Sequence, residues 1–462
     1  MPPSIALFLC TVFIIFLFIL DKRKTKYEPS WALWVPLLFM LISASRPIAL
    51  WFDPTILSAL PEDALEGSPA DRNFYIFLII SGLLILLKRK ANWSLIIRDN
   101  LWTLMLFLYC GISIVWSDLP YASLKAWIKV MAIPIMALIM ITEINYVESL
   151  RIVLKRTSYI LIPLSIVLIK YFPAYGRSYS PWTGTPFYGG VTTYKNGLGV
   201  LCFITGIFIV WDLIIMLRDK SADSGKIPVL VNIALLCMIL WLLMISDSAT
   251  SLTVFIVGVC VLIALEIPII KNNLNIVVFI LLFLGLFTFL SFNVFEGLVS
   301  TLGRDTTLTG RTVIWKKVLG MGTNPIIGSG YASFWLGDRG EFLLNLNWQR
   351  LTQAHNGFIE VYLNIGMVGL GLLIMMIIKT YNNAKNSLST NFEYGKLQIT
   401  YMTVFILTNI TEATFVIKSV SWFMFVLISL KYANLGDTPG KGTKPDMTKS
   451  KQLIGISATS NN

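Results

Sequence analysis

The amino-acid sequence predicts an all-α fold, a polytopic bundle of transmembrane helices, and its composition and hydrophobic patterning carry this prediction. Hydrophobic residues fill 56% of the 462 positions, charged residues fill only 13%, and the mean hydropathy is +0.73. Soluble domains carry about 25% charged residues. Apolar runs of about twenty residues, each long enough to cross a bilayer, recur along nearly the whole chain. Each run is predicted to be helical, because a span must pair its own backbone polar groups in lipid.

About thirteen spans can be drawn from these runs. The first group precedes a long polar loop and lies at 4–20, 31–50, 73–87, 101–116, 126–142, 152–169, 196–217, 228–246, 251–267 and 273–291. The second group follows that loop and lies at 357–378, 398–414 and 417–431. The run at 4–20 is interpreted as a retained span, because no charge precedes Asp21 and no small-residue cleavage site follows.

These spans define the predicted domain organisation. The transmembrane bundle covers 1–291, a large loop with short amphipathic helices covers 292–356, further spans cover 357–432, and a disordered polar tail covers 433–462. Alternate loops face opposite sides, and most lysines and arginines fall on one side, called the charge-rich side below. The positive-inside rule makes that side cytoplasmic. The opposite, charge-poor side is therefore predicted to be extracytoplasmic.

The charge-poor side is the one on which function is expected. It carries the long loops 51–72, 171–195 and 292–356, and long structured loops between spans are frequently functional. The net charge of +12 does not predict nucleic acid as a partner, because basic residues gather in the cytoplasmic loops of membrane proteins. The five cysteines lie inside apolar runs without metal-ligand spacing, so no metal site is predicted.

The loop at 292–356 contains three informative motifs. "TGRTVIWKKVL" has the pattern of an amphipathic helix that begins at Thr309. "NPIIGSGY" is typical of a turn, because Asn-Pro ends a helix and glycine permits close backbone approach. "AHNGFIEVYLNIG" contains His355, the single histidine of the chain, and Glu360, a carboxylate about one turn into a predicted span.

Together these motifs resemble the O-antigen ligase and Wzy polymerase superfamily. The detailed form, "DTTLTGRTVIW", "GSGYASFW" and "AHNGFIEVYLNIG", is most similar to the branch that makes exopolysaccharides. "TTYKNGLG" at 192–199 is similar to a second family block and "SDSATSLTVFIVG" at 246–258 to a third. The chain departs from the family at Tyr194, where a histidine is common, and at Ala249, where an arginine is common.

The resemblance implies a GT-C-like glycosyltransferase of the bacterial inner membrane with a periplasmic active face. Its donor would be an undecaprenyl-pyrophosphate-linked glycan, and its acceptor either another glycan, for a polymerase, or lipid A core, for a ligase. The polymerase is favoured. The family works without a metal or other cofactor, beside membrane lipids, and an envelope polysaccharide export complex would be a further partner.

The chemistry of this reaction indicates which residues would carry it. A diphosphate leaving group needs cationic side chains, and an acceptor hydroxyl needs a base such as histidine. Glu360 is expected to hold the imidazole. The predicted site residues are, for catalysis, His355 and Glu360; for pyrophosphate binding, Arg311, Lys195, Arg304 and Arg350; and for sugar or acceptor binding, Asn356, Asn196, Trp315 and Tyr331.

Ordinary structural roles stand beside these assignments. A histidine at a membrane interface costs little, Arg311 has the pattern of a solvated helix-surface residue, and Lys195 is placed to snorkel to headgroups. Glu412, near the end of a span, is open to a functional role or to an ion pair with Lys418. Arg46, within the predicted span 31–50, would either help to hold phosphate or snorkel.

Two functions of other classes remain open at this stage. A polysaccharide flippase would place polar groups through many spans and would commonly show internal repeats. A scaffold of an envelope complex would use the long loop as a docking surface.

Overall fold

A computed structural model describes residues 1–22, 29–53, 68–179, 184–218, 226–273, 275, 309–347 and 352–431. Within these ranges the chain is helical apart from one small hairpin and the connecting turns. The all-helical polytopic fold predicted from the sequence is confirmed. The predicted span 273–291 and the predicted tail 433–462 lie almost wholly or wholly outside the described residues.

The part of the chain before the hairpin forms these helices: α1 (Pro3–Lys22), α2 (Trp34–Ser43), α3 (Ala49–Phe52), α4 (Pro69–Lys88), α5 (Trp93–Asp99), α6 (Leu101–Ile112), α7 (Pro120–Val130), α8 (Ala132–Ile141), α9 (Tyr146–Tyr171) and α10 (Pro173–Gly176). Short 3₁₀ turns at Trp31–Leu33 and Ser113–Trp116 adjoin α2 and α6. The hairpin pairs β1 (Arg177–Tyr179) antiparallel to β2 (Pro186–Tyr188) within the predicted loop 171–195.

The remaining helices are α11 (Lys195–Arg218), α12 (Lys226–Ile245), α13 (Ala249–Ala264), α14 (Pro268–Asn272), α15 (Thr309–Leu319), α16 (Gly337–Asn347), α17 (Gly357–Thr390), α18 (Phe392–Thr411) and α19 (Val420–Ser429). The helix predicted from Thr309 is therefore present as α15. Side-chain caps begin several of the longer helices, and Asn356 begins α17 by accepting the backbone N–H groups of Phe358 and Ile359.

Seven helices or continuous helix pairs in the described ranges are long and apolar enough to cross a membrane, or eight if the α5–α6 pair counts as one span. The α5–α6 pair bends by 82°. Fewer full-length spans are seen than the sequence predicted, because several apolar runs form short helices. The predicted span 31–50, for example, ends as a helix at Ser43, and Pro47 disfavours helical backbone in the residue before it.

The shortest of the C-terminal helices occupies the centre of the core. Every residue of α19 is buried, and Trp422 stacks on Phe425 with ring centroids 5.6 Å apart. α17 and α18 pack closely where they begin and end, because Gly357 has no Cβ and a Cβ there would collide with the Asn409 side chain. This close approach places the start of α17 beside the end of α18, where the candidate site lies.

α17 is broken by a loop that packs against it. Gly366 has φ +66°, which favours glycine, and a Cβ there would collide with the backbone oxygen of Ile326. The predicted turn in "NPIIGSGY" supplies the hydrogen bonds that the break removes. Ser329 N–H donates to Leu363 O at 3.1 Å and Gly330 N–H to Asn364 O at 2.9 Å, while Pro325 O accepts from Met367 N–H at 2.9 Å.

Candidate functional site

Three side chains from distant parts of the sequence converge on the carboxylate of Glu412, in the segment that follows α18. Oε1 accepts from Asn196 Nδ2 at 3.2 Å and from Arg311 Nη2 at 3.3 Å. Oε2 lies 3.5 Å from His355 Nδ1. The Glu412 side chain is only 12% exposed. Glu412 was not among the predicted site residues, although its position near the end of a span had marked it as an unusual carboxylate.

His355 is held in place through its neighbours on both sides. Its φ of +50° lies in the left-handed region that non-glycine residues rarely adopt. Before it, the Ala354 carbonyl accepts from Trp315 Nε1 at 2.8 Å and the Ala354 N–H donates to Glu360 Oε2 at 3.0 Å. After it, Asn356 caps α17 and donates to Ile410 O at 3.2 Å. The imidazole is therefore presented from a tightly bonded backbone.

Glu360 does not play the part expected of it toward the imidazole. Its Oε1 accepts from Trp335 Nε1 at 2.6 Å and from Asn364 Nδ2 at 3.0 Å, and its Oε2 accepts from Ala354 N–H. The carboxylate next to the imidazole is Glu412. The Glu360 side chain points toward the loop that precedes α17. Its hydrogen bonds therefore join that loop to the helix instead of reaching the imidazole.

The predicted Lys195–Asn196 block lies at the start of α11. Asn196 reaches Glu412, whereas Lys195 Nζ contacts the Asp247 carboxylate at 3.1 Å and the Asp247 backbone oxygen at 3.2 Å. Asp247 is 90% exposed and has φ +47°. The second and third family blocks thus meet in space. Lys195 is next to Asn196 in the chain, but its ion pair is with the exposed carboxylate of Asp247, where solvent weakens the interaction.

Three further predicted residues make hydrogen bonds within the protein. Trp315 and Asn356 donate to backbone carbonyls as described above, and Tyr331 donates from its hydroxyl to Val416 O at 2.8 Å. Burial raises the pKa of the Tyr331 hydroxyl well above its ordinary value, so the hydroxyl remains a donor. These hydrogen bonds help to fix the backbone of Ala354–Asn356 and of the segment after Glu412. Arg304 and Arg350 lie outside the described residues.

Two expectations about isolated charges are wrong. Lys418 does not pair with Glu412; its Nζ lies 4.1 Å from the centroid of the Tyr75 ring. Arg46 neither snorkels nor faces an open surface, because it is 3% exposed and donates to the carbonyls of Tyr175, Gly190, Val191 and Thr192. A guanidinium has five donors in a fixed fork, so one buried arginine can organise this whole loop ahead of α11.

Loops predicted to share a side do contact one another. On the charge-poor side, Arg339 pairs with Asp118 at 2.7 Å, in addition to the contacts of Lys195, Asn196 and Arg46. On the charge-rich side, Lys431 pairs with Asp99 at 2.9 Å and Arg218 with Glu266 at 2.7 Å. The Glu412 cluster therefore belongs to the set of loops that carries fewer basic residues.

The fold and the cluster together define a multi-pass helical membrane protein with a cationic and imidazole-bearing site among its charge-poor loops. Residues 233–374 match the family model described as O-Antigen ligase. Over 296 residues the chain is 25% identical to "Exopolysaccharide production protein ExoQ" of Rhizobium meliloti (strain 1021). The resemblance to the O-antigen ligase and polymerase superfamily is thereby confirmed.

The extent of these matches can be placed on the structure. The family match includes Arg311 and His355, whereas Asn196 and Glu412 lie outside it. The match to the exopolysaccharide protein covers 61% of this chain and 64% of the relative, so the chain spans less than two thirds of the relative's length.

Proposed function

We propose that the chain is a glycosyltransferase of the bacterial inner membrane that acts at the periplasmic face. It takes glycan repeats from an undecaprenyl-pyrophosphate carrier and adds them to another glycan, as a polymerase does. The observation that carries this proposal is the convergence of Arg311, Asn196 and His355 on Glu412. A cation, an amide and an imidazole within reach of one carboxylate supply the groups that displacement of a diphosphate needs.

The proposed reaction assigns one task to each side of the cluster. The acceptor hydroxyl attacks the anomeric carbon, the bond from that carbon to the diphosphate oxygen breaks, and its electron pair leaves with the diphosphate. Arg311 binds the diphosphate oxygens, because a guanidinium fork matches two of them at once. His355 accepts the proton of the hydroxyl through the imidazole nitrogen that does not face Glu412.

The periplasmic assignment rests on charge. The cluster lies among the loops with few basic residues, and basic loops remain on the cytoplasmic side of bacterial membranes.

The proposed reaction uses the residues named above for both charge neutralisation and proton transfer. No cluster of three or more metal-ligating side chains occurs in the described ranges.

One experiment tests this proposal and separates it from its alternatives. The purified full-length chain is incubated with undecaprenyl-pyrophosphate-linked repeats extracted from membranes of a strain that lacks it, with and without lipid A core. Polymer formation without lipid A core supports the polymerase, whereas glycan transferred only to lipid A core would establish a ligase instead. Failure of the wild-type chain to consume either substrate would refute the proposed function.

The same residues separate an enzyme from a flippase in cells. Arg311→Ala and His355→Ala are expected to reduce polymer strongly, to a low residual level, while lipid-linked repeats accumulate in the outer leaflet. A flippase with the same substitutions would leave the repeats in the inner leaflet. Membrane abundance of each variant, measured by immunoblotting, serves as the control for folding.

A further inference from the structure

The two oxygens of the Glu412 carboxylate have different neighbours. Its Oε1 has two donors, whereas its Oε2 faces His355 Nδ1 at 3.5 Å. That nitrogen is buried and makes no hydrogen bond to any residue that the structure describes. A buried polar atom without a partner is costly and needs an explanation. Here a carboxylate oxygen lies just beyond hydrogen-bond range, since N–H···O bonds commonly span about 2.7–3.2 Å.

If the function proposed above is correct, Arg311 interacts with two groups, the Glu412 carboxylate and the diphosphate of the donor. In the described structure its Nη2 contacts Glu412 at 3.3 Å, and during the reaction the same guanidinium must bind a diphosphate. A diphosphate carries more negative charge than one carboxylate and offers oxygens that a guanidinium contacts in pairs. A diphosphate bound to Arg311 would therefore compete with Glu412 for the guanidinium.

We propose that Glu412 is a positioning residue that changes partners during the reaction. Without donor it holds Arg311 and Asn196, and when the diphosphate engages Arg311 it closes on His355 Nδ1. This inference rests on the proposed function. Closing the 3.5 Å gap fixes the imidazole with its other nitrogen free to accept the hydroxyl proton, and it stabilises the imidazolium that results.

The other charged groups around the imidazole leave this task to Glu412. Among the residues that the structure describes, they are Arg311 on α15 and Glu360 on α17, and Lys195 at the start of α11 lies on the same side with Asp247 as its partner. Glu360 already accepts three hydrogen bonds, from Trp335, Ala354 and Asn364. Only Glu412, among these carboxylates, combines a cationic partner that the substrate needs with an imidazole nitrogen that lacks a bond.

The test substitutes Glu412→Gln, which keeps the size of the side chain and its acceptor oxygen but removes the charge. Binding of undecaprenyl diphosphate to the purified chain is measured first. We expect it to tighten about threefold, the size of a partly exposed ion pair, because the competitor for Arg311 is weakened. Turnover of the extracted lipid-linked repeats is measured second, and kcat is expected to fall about 10- to 100-fold, as for other residues that orient a reactive group.

A double substitution shows whether Glu412 acts through the imidazole. In a His355→Ala background, Glu412→Gln is expected to lower kcat no further, because residues that act as a unit are not additive. Asp118→Asn, which removes a carboxylate from a different ion pair on the same side, is the matched control and should change neither binding nor kcat. If Glu412→Gln does not accumulate in the membrane, Glu412→Asp replaces it, with a smaller loss of kcat expected.

The outcomes separate this inference from the proposed function. Weaker diphosphate binding by Glu412→Gln, an unchanged kcat, or a further loss in the His355→Ala background would each overturn the partner change while leaving the proposed function intact. Inactivity of the wild-type chain toward the lipid-linked repeats would instead remove the proposed function itself, and the inference with it.

Discussion

The two ends of helix α18 carry carboxylates in opposite situations. Glu393, near its beginning, contacts Arg218 at 2.6 Å and Lys396 at 2.9 Å, and Glu266 contacts the same two cations at 2.7 Å and 2.5 Å. Glu412, just past its end, has contacts of 3.2 to 3.5 Å, one of them to an imidazole nitrogen without a hydrogen bond. The contacts of the first network are short, between 2.5 and 2.9 Å, whereas those of the second are longer, between 3.2 and 3.5 Å.

Under the proposed function, this difference separates a structural role from a functional one. At the charge-rich end two cations contact two carboxylates at short distances, and Lys396 is fully buried, so we expect this network to act on the fold. At the other end, Glu412 contacts three side chains at longer distances. A substrate could therefore bind one of these side chains without destabilising the fold. Perturbing each end should therefore have different consequences.

The largest expected effect on stability lies at the charge-rich end. Lys396→Met leaves the partly exposed carboxylates of Glu266 and Glu393 with Arg218 as their remaining cation, which should lower the free energy of unfolding by about 1.5–3 kcal/mol. Thermal inactivation of the detergent-solubilised chain measures this effect. Lys431→Met, which removes an exposed partner of Asp99, is the control and should change stability by less than about 1 kcal/mol. Equal effects of the two substitutions would show that the network is not structural.

At the site end the expected effect falls on activity. Arg311→Ala should reduce turnover of lipid-linked repeats by about 10²- to 10³-fold, because it removes the principal charge for the leaving diphosphate. Its free energy of unfolding should fall by less than about 1 kcal/mol, because the ion pair is partly exposed and Asn196 still donates to Glu412. Arg339→Ala, which breaks the exposed pair with Asp118 on the same side, is the control and should retain activity. Substantial destabilisation of Arg311→Ala would contradict the difference proposed between the two ends of α18.

A backbone effect of intermediate size is expected at the break in α17. Gly366→Ala places a methyl group against the Ile326 carbonyl at a positive φ, and it should cost about 1–3 kcal/mol of stability. Gly371→Ala on the same helix is the matched control, because a Cβ there meets nothing within 4 Å. Thermal inactivation again gives the readout, and a harmless Gly366→Ala would contradict the packing described here.

The smallest effect is expected at Lys195. Its pair with Asp247 is exposed, so Lys195→Ala should change stability by less than about 1 kcal/mol and reduce turnover only a few-fold. The loss should shrink as the salt concentration rises, because exposed charges are screened. A salt-independent loss as large as that of Arg311→Ala would instead place Lys195 at the centre of the site.

The sequence predicts the helices better than it predicts how they break. Hydropathy locates α11, α12 and the beginning of α17 within two residues, because a span must be apolar for about twenty residues, whereas α9 begins six residues before its predicted span. It does not reveal the break at Gly366, because that backbone depends on a loop from 324–331 that reaches α17 from outside. The span 31–50 shows a related limit: its helix ends at Ser43, ahead of Pro47, and Arg46 beyond that end donates to carbonyls more than a hundred residues away.

The candidate site shows the same limit. Arg311, Asn196 and His355 were predicted from motifs, but motifs do not say which of them meet. The common partner, Glu412, lies outside the recognised blocks, and its neighbours come from α11, α15 and the residues before α17. Glu360 is the more prominent carboxylate in the sequence, yet it is occupied in tying a loop to its own helix. Long-range packing, rather than local pattern, decides between the two.

The broken α17 also bears on how the chain is assembled in its membrane. Until the turn at 325–330 docks, the carbonyls of Leu363 and Asn364 lack the donors that they have in the finished structure. Unpaired backbone groups are poorly tolerated in hydrocarbon, so this segment would remain near the headgroups or beside the translocation machinery during synthesis. Biogenesis of this helix is therefore expected to finish only after the preceding loop has folded back onto it.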